Sequence, residues 1–338
     1  MSNQKILMGH GAGGKLSHQL IQRIFVRHFS NKSLSVLNDA SVIKTSAFTA
    51  FTTDSYVIDP IFFPGGDIGK LAVSGTVNDL LVSGAVPKYL SAGFIIEEGF
   101  LIDDLVKIVA SMADEARKAG VEIITGDTKV VKKGQCDKIF INTAGIGDAI
   151  ESESKLWKTP KLRAGDKVIV SGCLGDHAMA VLSARSSISF EREVLSDVAP
   201  LNKLILPLYT NFPGKISFMR DVTRGGLATV LNEICADSEL GIELFENKIP
   251  VRCEVEGVCE IFGYDPLYLA NEGKVVIIVE SETAEAILEQ IKSCEFGKKA
   301  EIVGEINKRA PGRVIMNSVI GGTRIVDMLA GEMLPRIC

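Results

Sequence analysis

The chain has 338 residues, 46% of them hydrophobic and 23% charged, with a formal net charge of −5. That length predicts two domains of roughly 150 residues each. Acids and bases are mixed along the chain without a basic run, which argues against a nucleic-acid or anionic-membrane surface.

Strand-like and helical patterns then alternate from end to end. The N-terminal "MSNQKILMGHGAGGK" has no apolar signal-peptide core and no later stretch is long and apolar enough to span a bilayer, so a cytoplasmic location is expected. "AFTAFTTDS" predicts a strand running into Asp54. "PGGDIGKLAVSGTVNDL" pairs a glycine turn with a helix start, a natural anion seat. "LIDDLVKIVASMADEARKAG" places Leu101, Leu105, Ile108, Met112 and Ala116 on one helical face, and Gly120 stops it. "VEIITGD" and "KIFINTAGIGD" read as strands. Residues 151–165, "ESESKLWKTPKLRAG", are polar and irregular and form the best linker candidate. Beyond it "DKVIVSG", "GIELF", "KVVIIVE", "AEIVGEI" and "RVIMNSV" read as strands. "HAMAVLSAR", "PLNKLILPLYTNF", "LATVLNEICADS" and "AEAILEQIKSC" read as helices. The expectation is an α+β chain with largely antiparallel sheets and helices on one face. Its domains are expected over 1–155 and 156–327, followed by a mobile tail over 328–338.

Seven cysteines, Cys136, Cys173, Cys235, Cys253, Cys259, Cys294 and Cys338, form no CxxC pair and fit neither a disulfide framework nor a zinc site. The internal ones read as small buried hydrophobes. Cys338 is different: it ends the short tail "EMLPRIC". From Met328 to Cys338 an extended chain spans roughly 33–36 Å, enough to cross a domain. Gly331 offers a hinge and Pro335 stiffens the end.

Five aspartates stand beside apolar runs, several of them where a strand meets a loop: Asp39 in "LNDAS", Asp54 in "FTTDS", Asp79 in "GTVNDL", Asp127 in "IITGDTK" and Asp221 in "SFMRDVTRGG". Any one alone is usually a turn or helix cap. Five, none beside a lysine that would neutralise it, suggest a magnesium–nucleotide site, since magnesium takes carboxylates together with substrate phosphates. "GHGAGGK" almost fits a P-loop but has Leu16 where a Ser or Thr belongs. Its glycines can still bring backbone N–H groups to phosphate.

Together "GHGAGGK", "TTDSYVIDPIFFPGGDIGKLAVSGTVNDL", "GDTKVV", "DVTRGGLATVLNE", "ANEGKVV" and "PRIC" resemble the PurM-like (AIR synthase-related) ATP-dependent superfamily. Within it they look like the hydrogenase maturation factor HypE family of carbamoyl dehydratases. The resemblance implies a two-domain PurM-like fold, ATP and Mg2+, and a homodimer built sheet to sheet. It places Asp39, Asp54, Asp79 and Asp221 at metal–phosphate positions, with Asn78 and Asp127 in support and Gly11, Gly13 and Gly14 in a phosphate loop. Lys129 would neutralise the transferring phosphoryl group, and Glu272 would be the base or orient the amide nitrogen. Arg224 could serve phosphate or pair with an acid, and His10 needs no catalytic role.

In such proteins the tail thiol, here Cys338, receives a carbamoyl group from the carbamoyltransferase HypF. The thiocarbamate is dehydrated to a thiocyanate, and the cyano group passes to iron on the HypC–HypD complex for the [NiFe]-hydrogenase centre. Cys338 is then a carrier rather than a catalytic nucleophile. Rival readings are a small-molecule kinase or selenophosphate synthetase of the same superfamily, which needs no terminal cysteine, and a non-enzymatic thiol-bearing assembly factor.

Overall fold

The structure is a computed structural model that describes residues 4–11, 15–31, 34, 43–45, 48–157, 162–186, 192–236, 238–329, 334 and 336–338. Gly13, Gly14, Asp39, Gly331 and Pro335 lie outside the described residues.

Alternating residues in the first half build β1 (Thr49–Tyr56), the short pair β2 (Phe62–Phe63) and β3 (Gly66–Asp67), then β4 (Ala85–Glu97), β5 (Glu122–Val131) and β6 (Ile139–Ala149). The four long strands form one sheet in the order β1-β6-β4-β5, antiparallel except for β4–β5. Period-2 alternation puts Thr52, Asp54 and Tyr56 on the face of β1 that carries the Ile68–Val82 helix, and turns Phe51, Thr53 and Ser55 outward. On that outward face Phe51 is 68% exposed.

The Ile68–Val82 helix explains its composition. It is buried almost all round, so small residues occur along it, and Asp67 caps it by accepting from Gly69 N (2.7 Å) and Lys70 N (3.1 Å). The Ile102–Ala119 helix is amphipathic as read, and Gly120 ends it in the left-handed region at φ 69°.

The second half supplies β7 (Lys167–Val170), β8 (Ile216–Asp221), β9 (Gly241–Phe245), β10 (Val275–Val279), β11 (Glu301–Asn307), β12 (Val314–Asn317) and β13 (Thr323–Val326). They form one mixed sheet ordered β13-β12-β9-β11-β7-β10-β8, in which only β9–β12 is parallel. The first sheet carries helices on one face as expected. The second is covered on both, because Val275, Ile277 and Val279 enter the core shared with the first half while Val276 and Ile278 pack with Leu227 and Leu231 of the Gly226–Cys235 helix. Burial on both faces is why β10 reads as the unbroken run "VVIIV".

The shared core runs from Leu71 and Val77 in the first half through Ile205 and Leu208 to Ile337 on the tail. Among the described residues no helix is long and apolar enough to cross a membrane.

Candidate active site

Three carboxylates are delivered by three separate elements. Asp54 comes from β1, Asp79 from the last turn of the Ile68–Val82 helix, and Asp221 from the end of β8. β8 pairs with β10 so that Asp221 stands opposite Val275, three residues after Glu272. The loop before β10 thereby brings Glu272 to the same place. Thr52 Oγ1 donates to Asp79 Oδ2 (2.8 Å), and Tyr56 Oη donates to Asp54 Oδ2 (3.2 Å). Burial, then Asp54, pushes the Tyr56 hydroxyl well above its ordinary pKa, so it stays a neutral donor.

The cluster is strained electrostatically. Burial, then Asp221 and Asp54, raises Asp79 from 3.8 to about 7. Burial, then Asp54, raises Asp221 to about 6 in spite of Arg220. Glu272 is 4% exposed, and its Oε1 has no hydrogen-bond partner. Burial followed by Asp221, Asp197 and Asp54 pushes its carboxyl well above the usual range, while Arg224 pulls the other way. Among the described residues no three Asp, Glu, His or Cys side chains are spaced to cage a metal ion. Uncompensated repulsion among Asp54, Asp79 and Asp221 nevertheless suits a hard cation shared with phosphate oxygens, which is how Mg2+ is usually held.

That strain has a measurable consequence. The folded protein binds more protons than the unfolded chain from about 3.8 up to about 7 at Asp79, so stability without nucleotide should fall as pH rises through that window. Asp79→Asn should raise the Tm at pH 8 by roughly 2–4 °C per kcal/mol relieved and flatten the pH dependence. Thermal melts at pH 5 and pH 8 check this; an unchanged slope would refute it.

Cys338 sits inside this cluster. Arg224 Nε donates to Cys338 Sγ (2.8 Å) and Nη2 to its main-chain oxygen (3.4 Å). Burial, then the charge of Glu272, pushes the thiol up to about 12 against the pull of Arg224. The docked sulfur is therefore a neutral thiol at physiological pH, suited to carrying a group rather than attacking. The tail lies along residues 57–59: Val57 N donates to Cys338 O (3.2 Å), Asp59 N to Arg336 O (3.3 Å), and Arg336 Nε to Val57 O (2.9 Å). Arg336 also reaches Asp137 Oδ2 (2.6 Å), and Ile337 is buried at 6% exposure.

The remaining expected site residues fall elsewhere. Asn78 is buried, and its side-chain amide donates to Ala199 O and accepts from Leu201 N. Asp127 and Lys129 are 67% and 64% exposed on β5 and pair with each other at 2.9 Å, so Asp127 does have a neutralising lysine. Register places Asp127 in the row of Ser55, on the face opposite Asp54. The structure does not bring Lys129 to the acids; Arg224 is the cation there. Gly11, Asp127 and Lys129 instead line one cavity of about 300 Å³ along β5, with His10 also in its wall. Gly11 is required by close approach, since a Cβ would stand 2.6 Å from Val130 N.

The AIR synthase related protein family matches both halves, its N-terminal domain over residues 37–149 and its C-terminal domain over 163–317, so fold and site define an AIR synthase related protein with the PurM-like α+β fold. Carbamoyl dehydratase HypE of Cupriavidus necator is 47% identical over 336 residues, covering 99% of this chain and 95% of the relative. A crystal structure of hydrogenase maturation protein HypE in complex with ATP superimposes with a TM-score of 0.93 at 46% identity, covering 98% of this chain and 99% of that one. A HypE–HypF complex gives a TM-score of 0.78 at 49% identity over 92% of this chain and 99% of that one. The chain belongs to the HypE family.

Proposed function

We propose that this chain is an ATP-dependent carbamoyl dehydratase that converts an S-carboxamide on Cys338 to a thiocyanate, for the cyanide ligands of [NiFe]-hydrogenase. The observation that carries this reading is Cys338 Sγ held by Arg224 beside a buried Glu272 whose Oε1 has no partner. A carrier sulfur, a poised base and an acid cluster are the three things the chemistry needs in one water-poor place.

The amide oxygen leaves badly as hydroxide, so the γ-phosphoryl of ATP transfers to it, with loss of one N–H proton, to give an S–C(OPO3)=NH group. The C–O bond then breaks, phosphate departs with its electron pair, and the second N–H proton leaves as S–C≡N forms. Glu272 takes that proton; its raised pKa makes it a stronger base than an ordinary carboxylate. Arg224 orients the sulfur. Asp54, Asp79 and Asp221, with Asp39, would hold Mg2+, which neutralises phosphate charge when bound.

Gly11, Gly13 and Gly14 with Asp127 and Lys129 belong to the nucleotide in this reading. Asp127 and Lys129 sit on the open face of the first sheet, so a homodimer packing the open faces of two such sheets would place them at the subunit interface. HypF would load the carbamoyl group on an undocked tail, as the HypE–HypF complex of relatives supports, and HypC–HypD would take the cyano group, in the cytoplasm.

The test is intact mass on protein carbamoylated at Cys338, before and after Mg2+ and ATP. Loss of one water's mass on the Cys338 peptide is expected. ATP turnover without that loss would point to a small-molecule kinase, and neither change to a thiol-bearing assembly factor.

A further inference from the structure

A single strap, residues 194–201, touches three parts of the site at once. Asn78, the neighbour of Asp79, donates to Ala199 O (3.1 Å) and accepts from Leu201 N (2.9 Å). Asp197 accepts from Glu272 N (3.1 Å), Gly273 N (3.0 Å) and Lys274 Nζ (3.0 Å). Ser196 Oγ lies 2.8 Å from His177 Nδ1, and His177 Nε2 lies 2.7 Å from the carbonyl of Ile337.

The direction of the last relay follows from its ends. A carbonyl only accepts, so His177 Nε2 carries the proton and Nδ1 accepts from the Ser196 hydroxyl. That hydroxyl oxygen in turn accepts from Val198 N (3.1 Å). His177 is fully buried and packs edge-on to Phe63 at 5.4 Å, so its ring has one orientation. The tail is thus read through its backbone: Arg185 takes the carbonyl of Arg336, His177 that of Ile337, and Val57 N with Arg224 the main-chain oxygen of Cys338. His177 touches no reacting atom, and Asp197 touches the backbone of the loop that carries Glu272 together with the Lys274 ammonium. A Cβ at Gly273 would collide with Asp197 O, which shows how closely strap and loop fit.

We propose that His177, oriented by Ser196, is a positioning residue that seats the carrier tail, and that Asp197 on the same strap seats the Glu272 loop, so that one strap sets the register between Cys338 and its base. The consequence for turnover rests on the dehydratase reading; the seating itself is measurable without turnover.

The experiment uses the full chain with Ser196→Ala, His177→Gln, His177→Leu and Asp197→Asn. Iodoacetamide labelling of Cys338 is followed by peptide mass against exposed Cys253 as internal reference, beside ATP affinity and single-turnover dehydration. Loss of one neutral hydrogen bond should raise relative Cys338 labelling roughly 2–10-fold in Ser196→Ala and His177→Leu, with ATP affinity unchanged. His177→Gln, which keeps an N–H donor, should restore much of the protection. Asp197→Asn should leave labelling near wild type and slow the single turnover. Unchanged labelling in both Ser196→Ala and His177→Leu overturns the tail seat, as does labelling in Asp197→Asn that rises as much as in His177→Leu. Ser196→Ala removes one hydroxyl only and keeps the test decisive if His177→Leu does not fold. A wild-type protein that labels slowly yet never loses water would overturn the dehydratase reading while upholding the seat.

Discussion

Glu272→Gln should slow dehydration of the carbamoylated protein by roughly 10²–10⁴-fold, the contribution a positioned base usually makes. The amide is isosteric and cannot take the N–H proton. ATP affinity should stay within a few fold, because the change leaves Asp54, Asp79 and Asp221 in place. Stability should move the other way. Glu272 is buried near Asp221, Asp197 and Asp54 and its Oε1 is unpartnered, so its ionised form is disfavoured. Glu272→Gln removes that cost at pH values high enough to ionise the carboxyl. A raised Tm with a collapsed rate separates loss of a base from loss of fold. Single-turnover mass measurements and thermal melts check both; a wild-type rate removes Glu272 from the chemistry.

Cys338→Ala should abolish thiocyanate formation completely while ATP binding stays nearly intact. No other described cysteine is placed at the acid cluster, so none can substitute: Cys173, Cys235 and Cys259 are buried elsewhere and Cys253 is exposed on its helix. The acids themselves rest on β1, β8 and the Ile68–Val82 helix and owe nothing to the sulfur. Titration calorimetry with Mg–ATP and product mass analysis check the pair of outcomes. Lost ATP binding would make the tail part of the nucleotide site and count against the carrier role.

Much of the fold was legible. "GIELF" is β9 residue for residue, and the helix read from "LIDDLVKIVASMADEARKAG" spans Ile102–Ala119. β4 escaped notice because Pro87 and Gly93 interrupt a strand whose faces are both partly covered. The Cys253–Phe262 helix escaped because its glutamates and Gly257 blur the apolar stripe. In the site, the aspartates showed through their place beside apolar runs. His177, Ser196 and Asp197 gave no such signal, since a buried histidine, a serine and an aspartate in "LSDVAP" look like ordinary loop chemistry. Only the Gly175 turn ahead of His177 hinted that the backbone there approaches something.

By itself the sequence determined most of the elements, the α+β class and the acids beside apolar runs, because periodicity and turn chemistry act over a few residues. Tertiary structure alone decided which of these meet. Asp54, Asp79, Asp221, Glu272 and Cys338 are separated by up to hundreds of positions and converge through strand register and a shared core, which local pattern does not encode. Parity on one sheet sent Asp127 and Lys129 to the far face, and a turn after β8 put Arg224 beside the sulfur instead. The same long-range packing ties Asn78 to the 194–201 strap through Ala199 and Leu201.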